Sequence, residues 1–276
     1  MEAPKANIWE GIYHNISDIP CDYIDKLNPN SDIDWEDMLF NSTIDYFKHF
    51  NALVNLESDL APLIVASYVN LRKQLTLLDI GGAMGIHNIQ MRTLGLNQLI
   101  SRHIILEVES VCKKANELRS TSENVNFMYG FPDSITPFNV DVVYMNSSVQ
   151  YIIPYEAVLK KIVEFNPTFI CFERSYFGDF STFYSLQCNM KKNLVVQMLN
   201  KAEIINCLDK LNYRVLLEVK KDWPERWYTG NFPDEYNPGK DYPLFIFVNK
   251  TQDIKHSDFI ATYEEYKKNG LLSLLR

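Results

Sequence analysis

Asp79, Gly81, Gly82 and Gly85 fall together in Leu75-Thr-Leu-Leu-Asp-Ile-Gly-Gly-Ala-Met-Gly-Ile-His-Asn-Ile-Gln90, where an apolar run breaks into glycines and then into a helical pattern. That order spells strand, tight turn, helix. Such a junction aims unpaired backbone N–H groups and the positive end of a helix dipole at one spot, and glycine keeps side chains out of a ligand's way. A dinucleotide fingerprint needs Gly-x-Gly-x-x-Gly, but from Gly81 the chain offers Ala83 and Ile86 at the later places. What the stretch does present is an acid closing the strand, with glycines two and six positions on. Glu107 closes the next apolar run roughly twenty residues further, where Rossmann-like folds place the carboxylate that holds ribose hydroxyls. Glu109 is the alternative holder, and either acid would repel the 2′-phosphate of NADP.

Two more clusters follow apolar runs. Asn146-Ser147-Ser148-Val149-Gln150-Tyr151 comes after the fourth strand expected from the glycine turn onward, and Glu173-Arg174-Ser175-Tyr176-Phe177 after the fifth. Carboxyl ends of strands are where doubly wound sheets collect ligands. Asn146 and Ser147 either meet the cofactor or cap a helix; Gln150 and Tyr151 either orient a substrate or sit on that helix. Arg174 is the cation for an anionic substrate, or the partner of a nearby carboxylate. His87, just inside the glycine-turn helix, is the one histidine placed near the ligand; His14, His49, His103 and His256 read as surface or satisfied structural residues. His87, Glu173 and Tyr151 are the candidate proton acceptors. Cys21, Cys112, Cys171, Cys188 and Cys207 form no Cys-x-x-Cys pair, so reduced thiols and no metal centre are expected.

The run Asp79-Ile-Gly81-Gly82-Ala-Met-Gly85 resembles motif I of class I S-adenosylmethionine-dependent methyltransferases. Trp9-Glu10-Gly11-Ile12-Tyr13, Leu78-Asp79-Ile80-Gly81-Gly82, Asn146-Ser147-Ser148-Val149-Gln150-Tyr151 and Glu173-Arg174-Ser175-Tyr176-Phe177, in this order, resemble a bacterial methyltransferase family often encoded in surface-polysaccharide gene clusters. The similarity runs from Trp9 to about Asn249; Val149 replaces a leucine of the family's pattern, and Glu173 an aspartate. It implies S-adenosyl-L-methionine as cofactor, held by Asp79, Gly81, Gly82, Gly85, Glu107, Asn146 and Ser147, with adenine beside Met128–Pro132. Arg174, Gln150, Tyr151 and His87 would then serve methyl transfer to a sugar or phosphate-type oxygen of a small-molecule or sugar-linked acceptor. The alternatives are a NAD-dependent oxidoreductase of Rossmann type and a non-catalytic, cofactor-binding accessory subunit of a glycan pathway.

The elements that must carry these residues follow from periodicity. Leu75–Ile80, His103–Val108, Val125–Tyr129, Val140–Met145, Thr168–Glu173, Tyr213–Val219 and Leu244–Asn249 read as seven strands with helices between them. The linker Lys220–Tyr242 is too rich in proline for a crossover helix, so the last strand is expected antiparallel. The expected fold is one α/β domain over 1–276: a helical N-terminal cap at 1–73, a Rossmann-like core at 74–250 and a C-terminal helical tail at 251–276. Helices are expected at Trp35–Phe50, at Leu60–Leu71 with Ser58 or Asp59 as cap, and around Ile260–Leu275 broken at Gly270. The cap and the aromatics Trp223, Trp227 and Tyr228 would wall the acceptor pocket.

A hydrophobic share of 46% and a net charge of −8 over 276 residues describe a globular chain without the excess of basic residues that nucleic acid or anionic lipid attracts. Neither a nucleic-acid partner nor membrane insertion is expected. The opening residues lack a basic segment followed by an apolar one, so a cytoplasmic location is expected. Oligomeric state is left open.

Overall fold

All seven expected runs pair into one sheet. In the computed structural model, which describes residues 9–20, 37, 40–41, 43–44, 58–117, 124–131, 139–189, 192–222, 232–239 and 241–270, eleven strands form two sheets. The strands are β1 (Trp9–Tyr13), β2 (Leu75–Ile80), β3 (Ile100–Glu107), β4 (Val125–Tyr129), β5 (Val142–Asn146), β6 (Phe169–Glu173), β7 (Phe177–Gly178), β8 (Phe183–Asn189), β9 (Lys192–Asn200), β10 (Tyr213–Asp222) and β11 (Asp241–Asn249). The main sheet has the order β10-β11-β6-β5-β2-β3-β4. β2 to β6 pair in parallel, and β11 runs antiparallel to both of its neighbours, as expected for a class I methyltransferase fold.

Six helices flank it: α1 (Leu60–Leu71), α2 (Ile86–Thr93), α3 (Glu109–Glu117), α4 (Tyr155–Glu164), α5 (Lys201–Lys210) and α6 (His256–Asn269). Because side chains alternate along a strand, each strand feeds two cores. On one face Leu75, Leu77, Val142, Phe169, Cys171 and Ile246 pack with α1, α2 and α6; on the other Leu78, Val143, Ile170, Phe172 and Phe247 pack with α4 and α5. Continuous burial of this kind is what a parallel sheet covered on both faces requires. Among the described residues no helix is long and apolar enough to cross a membrane.

The second sheet, order β1-β8-β9-β7, was not apparent from periodicity. β8 and β9 form an antiparallel hairpin between β6 and α5, and β1 pairs with β8, Trp9 opposite Gln187. The N-terminal segment therefore contributes a strand as well as helix. Trp9, Tyr176, Phe183, Val196, Met198 and Tyr242 bind this sheet to the end of β11. Of the expected helix at Trp35–Phe50, only Asp37, Phe40, Asn41, Thr43 and Ile44 are described, and they are helical. α6 begins earlier than expected and ends at Gly270; 271–276, Pro132, Trp223, Trp227 and Tyr228 lie outside the described residues.

Candidate active site

Backbone strain marks one end of the sheet. Of six described non-glycine residues with positive φ, Arg72, Asn166 and Asn212 follow helix ends, where that conformation is ordinary. The other three, Ala83, Ser147 and Arg174, follow β2, β5 and β6 at their carboxyl ends. Such strain costs about 1–3 kcal/mol per residue and collects where function holds it in place.

Register brings four polar side chains to the same edge. Asp79 lies opposite Tyr144, and Asn146 opposite Glu173, all on the face that carries Leu77 and Val142. Asp79 is fully buried; its Oδ2 meets His87 Nδ1 at 2.8 Å and His103 Nε2 at 3.4 Å. Burial pushes this carboxyl upward, but the two histidines outweigh it and hold the pKa well below the ordinary carboxylate range. For His87, burial opposes the charge while Asp79 favours it, and the pKa ends above its usual value. Asn146 Nδ2 reaches His87 Nε2 at 3.3 Å and Tyr144 Oη at 3.2 Å. Tyr144 in turn donates to Glu173 and meets Ser58 Oγ at 2.8 Å.

Glu173 is fully buried and closes the network. Its carboxylate accepts from the Asp59 backbone N–H at 3.1 and 3.2 Å, at the first turn of α1, where a negative charge suits the helix dipole. Lys221 pairs with both Glu173 and Asp59. Glu173 is thus committed to holding α1 and β10 on the sheet, which corrects its expected role as a proton acceptor. Asp79 lies beneath the turn, where its carboxylate holds His87. Asp59 caps α1 without a side-chain bond, and Ser58 Oγ accepts from Leu60 N instead.

The glycine turn explains itself sterically. A Cβ on Gly82 would stand 2.4 Å from Asp79 Oδ2, and one on Gly81 2.5 Å from Ser148 Cβ; Gly81 also has φ +73°. Gly85 caps α2 with φ 83°. Across the turn, Glu107 Oε1 accepts from Ala83 N at 2.8 Å and Oε2 from Val108 N at 3.0 Å. Burial pushes the Glu107 carboxyl above its usual value against those two donors. Glu109 points away, exposed and paired with Lys113 at 2.8 Å. Tyr129 pairs in register with Glu107 and is 62% exposed.

The remaining candidates gather around the strained Arg174. Ser147 Oγ donates to Arg174 O at 3.2 Å and Gln150 Nε2 contacts the same oxygen at 3.5 Å, while Tyr151 Oη donates to Gln187 Oε1 at 2.7 Å. Burial of its hydroxyl pushes the Tyr151 phenol up to about 12. The Arg174 guanidinium is half-buried; burial opposes its charge, but Glu173 and Tyr242 hold it firmly cationic. Tyr144, Lys221, Ser58 and Gln187 were missed as site residues from sequence, as each gains its polar partners only through contacts between elements far apart in the chain. His103 is fully buried, with Nε2 turned to Asp79.

A nucleoside cofactor with an amino-acid end fits what is present: a half-buried carboxylate beside the glycine turn, and acceptors awaiting donors. Asp79 Oδ1, Ser148 Oγ and Gln150 Oε1 are buried without a hydrogen-bond partner among the described residues. Among those residues no group of three or more His, Cys, Asp or Glu side chains is arranged to hold a metal ion.

No protein-family model and no curated protein matches the chain. Among solved structures it is similar to an S-adenosylmethionine-bound amino pentose methyltransferase from Micromonospora echinaspora, with 12% identity and a TM-score of 0.47 over 74% of this chain and 96% of that one. It is also similar to 1,6-didemethyltoxoflavin-N1-methyltransferase from Burkholderia thailandensis, with 13% identity and a TM-score of 0.43 over 78% and 88% of the two chains. A third is an S-adenosylmethionine-dependent methyltransferase from Mesorhizobium loti, with 9% identity and a TM-score of 0.46 over 70% and 99%. Identities and scores this low leave the chemistry to this chain's own residues.

Proposed function

We propose that the chain is a cytoplasmic S-adenosylmethionine-dependent methyltransferase acting on a sugar or phosphate-type oxygen of a polysaccharide precursor or related metabolite. The observation that carries this is Glu107, half-buried at the end of β3 and hydrogen-bonded to the strained Ala83 of the glycine turn one strand away. A carboxylate held there suits paired ribose hydroxyls and opposes a 2′-phosphate. Gly81, Gly82 and Gly85 would admit the cofactor's amino-acid end, with Asp79 setting the turn from beneath and Asn146 and Ser147 completing the wall. Tyr129 offers an aromatic face for adenine at the end of β4, inside the segment expected from sequence.

S-adenosylmethionine supplies a methyl group activated on a sulfonium. The chain's part is to align an acceptor oxygen in line with that methyl and to keep water away, which alone accounts for much of such a rate. Arg174, Gln150 and Tyr151, gathered between the ends of β5 and β6 and the second sheet, would orient the acceptor. The surface-polysaccharide setting rests on the resemblance of Trp9–Tyr13 and the strand-end motifs.

A thermal-shift panel with S-adenosylhomocysteine, NAD and NADP tests the cofactor. A ligand at about a hundred times its dissociation constant adds roughly 2.7 kcal/mol of stability. Stabilisation by S-adenosylhomocysteine alone is expected; stabilisation by NAD instead would make the chain an oxidoreductase.

A further inference from the structure

Both hydrogens of the Asn146 amide are spent inside the protein. The Glu173 carboxylate, paired with Lys221, takes the Tyr144 hydroxyl proton, so Tyr144 Oη accepts in its 3.2 Å contact with Asn146 and the amide nitrogen donates. The other hydrogen of that nitrogen goes to His87 Nε2 at 3.3 Å. The amide is thus fixed from beneath, and its oxygen is left over: among the described residues the bonds of this side chain all run through Nδ2. Unlike the buried His87, it stands at an opening, since Asn146 and Gly81 are partly exposed and Ser147 is exposed.

The surroundings narrow what that oxygen can receive. Ser147 Oγ gives its own proton to Arg174 O at 3.2 Å and keeps lone pairs. Asp79, on the neighbouring strand and the same face of the sheet, stays ionised despite its burial, held by His87 and His103, and its buried Oδ1 has no partner among the described residues. Lys221 and Arg174 face Glu173, one strand further on. Acceptor atoms beside a negative charge suit a ligand group that is cationic and only donates. An ammonium has three donors and no acceptor. A pyrophosphate in the same place would meet an acceptor oxygen and a carboxylate, so this edge opposes a dinucleotide.

We propose that Asn146 Oδ1 receives the ammonium of the cofactor's amino-acid end, and that Tyr144 and Glu173 are positioning residues that turn this oxygen toward it. This deepens the methyltransferase function proposed above and rests on it. The amino-acid end thereby gains a direction. Its carboxylate belongs with the backbone amides at the start of α2, where the helix dipole is positive, and its ammonium across from them at the end of β5.

The test is calorimetric titration with S-adenosylhomocysteine and with its analogue in which hydrogen replaces the α-amino group. Wild type is expected to bind the first about 10–100-fold more tightly, the worth of a hydrogen bond to a charged group. Asn146→Ala should lower that ratio at least about fivefold while binding the analogue within about threefold of wild type. Tyr144→Phe keeps the ring, removes the oxygen that orients the amide, and should lower the ratio at least about twofold. A wild-type ratio near one, or a ratio that Asn146→Ala leaves unchanged because both ligands weaken together, overturns the proposal while leaving the methyltransferase function standing. An unchanged ratio in Tyr144→Phe overturns the positioning roles, and it decides the whole proposal if Asn146→Ala does not fold. Failure of the wild-type protein to bind S-adenosylhomocysteine overturns both the proposal and the function it rests on.

Discussion

Lys221→Met removes the one cation among the described residues that pairs with both buried carboxylates, and its cost can be worked from the site. Glu173 is fully buried and the Asp59 side chain is 7% exposed, while Lys221 itself keeps only 19% of its side chain in solvent. Removing one partner of a buried pair costs about 3–5 kcal/mol, because the remaining charge stays desolvated. Here the loss is eased, since Lys267 stands 3.8 Å from Asp59, and Tyr144 and the Asp59 N–H still serve Glu173. A destabilisation of about 2–4 kcal/mol is expected, or a fall in Tm of roughly 5–15 °C for a chain of this size. Urea unfolding followed by circular dichroism measures it. The double variant Lys221→Met/Glu173→Gln should recover at least about 1 kcal/mol, since it no longer leaves that carboxylate uncompensated. A single variant within about 0.5 kcal/mol of wild type would refute the view that this pair holds β10 and α1 at the site.

Glu107→Ala is expected to weaken S-adenosylhomocysteine binding by about 1–3 kcal/mol with the fold intact; unchanged calorimetric affinity would remove Glu107 from the site. Arg174→Ala should lower turnover far more than cofactor affinity, and full turnover on the true acceptor would make the arginine structural. Gly82→Ala forces a methyl against Asp79 and should cost about 1–3 kcal/mol, read from thermal unfolding. The folded pKa of His87 is raised, so its contribution to stability is complete below the unfolded value of about 6.5 and is lost as pH rises through the folded value. His87→Gln should therefore destabilise more at pH 5.5 than at pH 8.5 in parallel urea titrations. The Asp79 contribution has the opposite sense, fading only in strong acid.

The centre of the main sheet was legible because β2, β5, β6 and β11 are buried on both faces and so appear as nearly unbroken apolar runs, with β3, β4 and β10 following from the spacing between them. Leu75–Ile80 and Val125–Tyr129 coincide with their expected limits, and the antiparallel β11 followed from the proline-rich linker before it. The hairpin β8–β9 escaped notice because Ser185, Gln187 and Gln197 interrupt its apolar residues, yet all three are buried. No glycine marks its turn either. The expected strand ends and turn put Asp79, His87, Asn146 and Glu107 on the elements that carry them, β2, α2, β5 and β3. What Asp79 faces depends on His103 arriving from the neighbouring strand, a matter of register between β2 and β3 that no single stretch contains. The same holds for Glu173, whose partners come from α1, β5 and β10.

The pairing of β1 with β8 has a consequence for how the protein is made. Ser185 Oγ donates to Gly11 O at 2.8 Å across 174 residues of sequence. At roughly 5–20 residues per second, β1 leaves the ribosome on the order of 10–35 s before the strand it pairs with. During that interval Trp9 and Ile12 lack the aromatic cluster that later covers them, while the glycine turn and its strands are already complete enough to pair. The edge of β8 is in turn a late-arriving template that any competing strand could occupy. Of the described strand pairings, that of β1 with β8 joins the strands farthest apart in sequence, so it is the one a chaperone or a neighbouring nascent chain has the longest time to intercept.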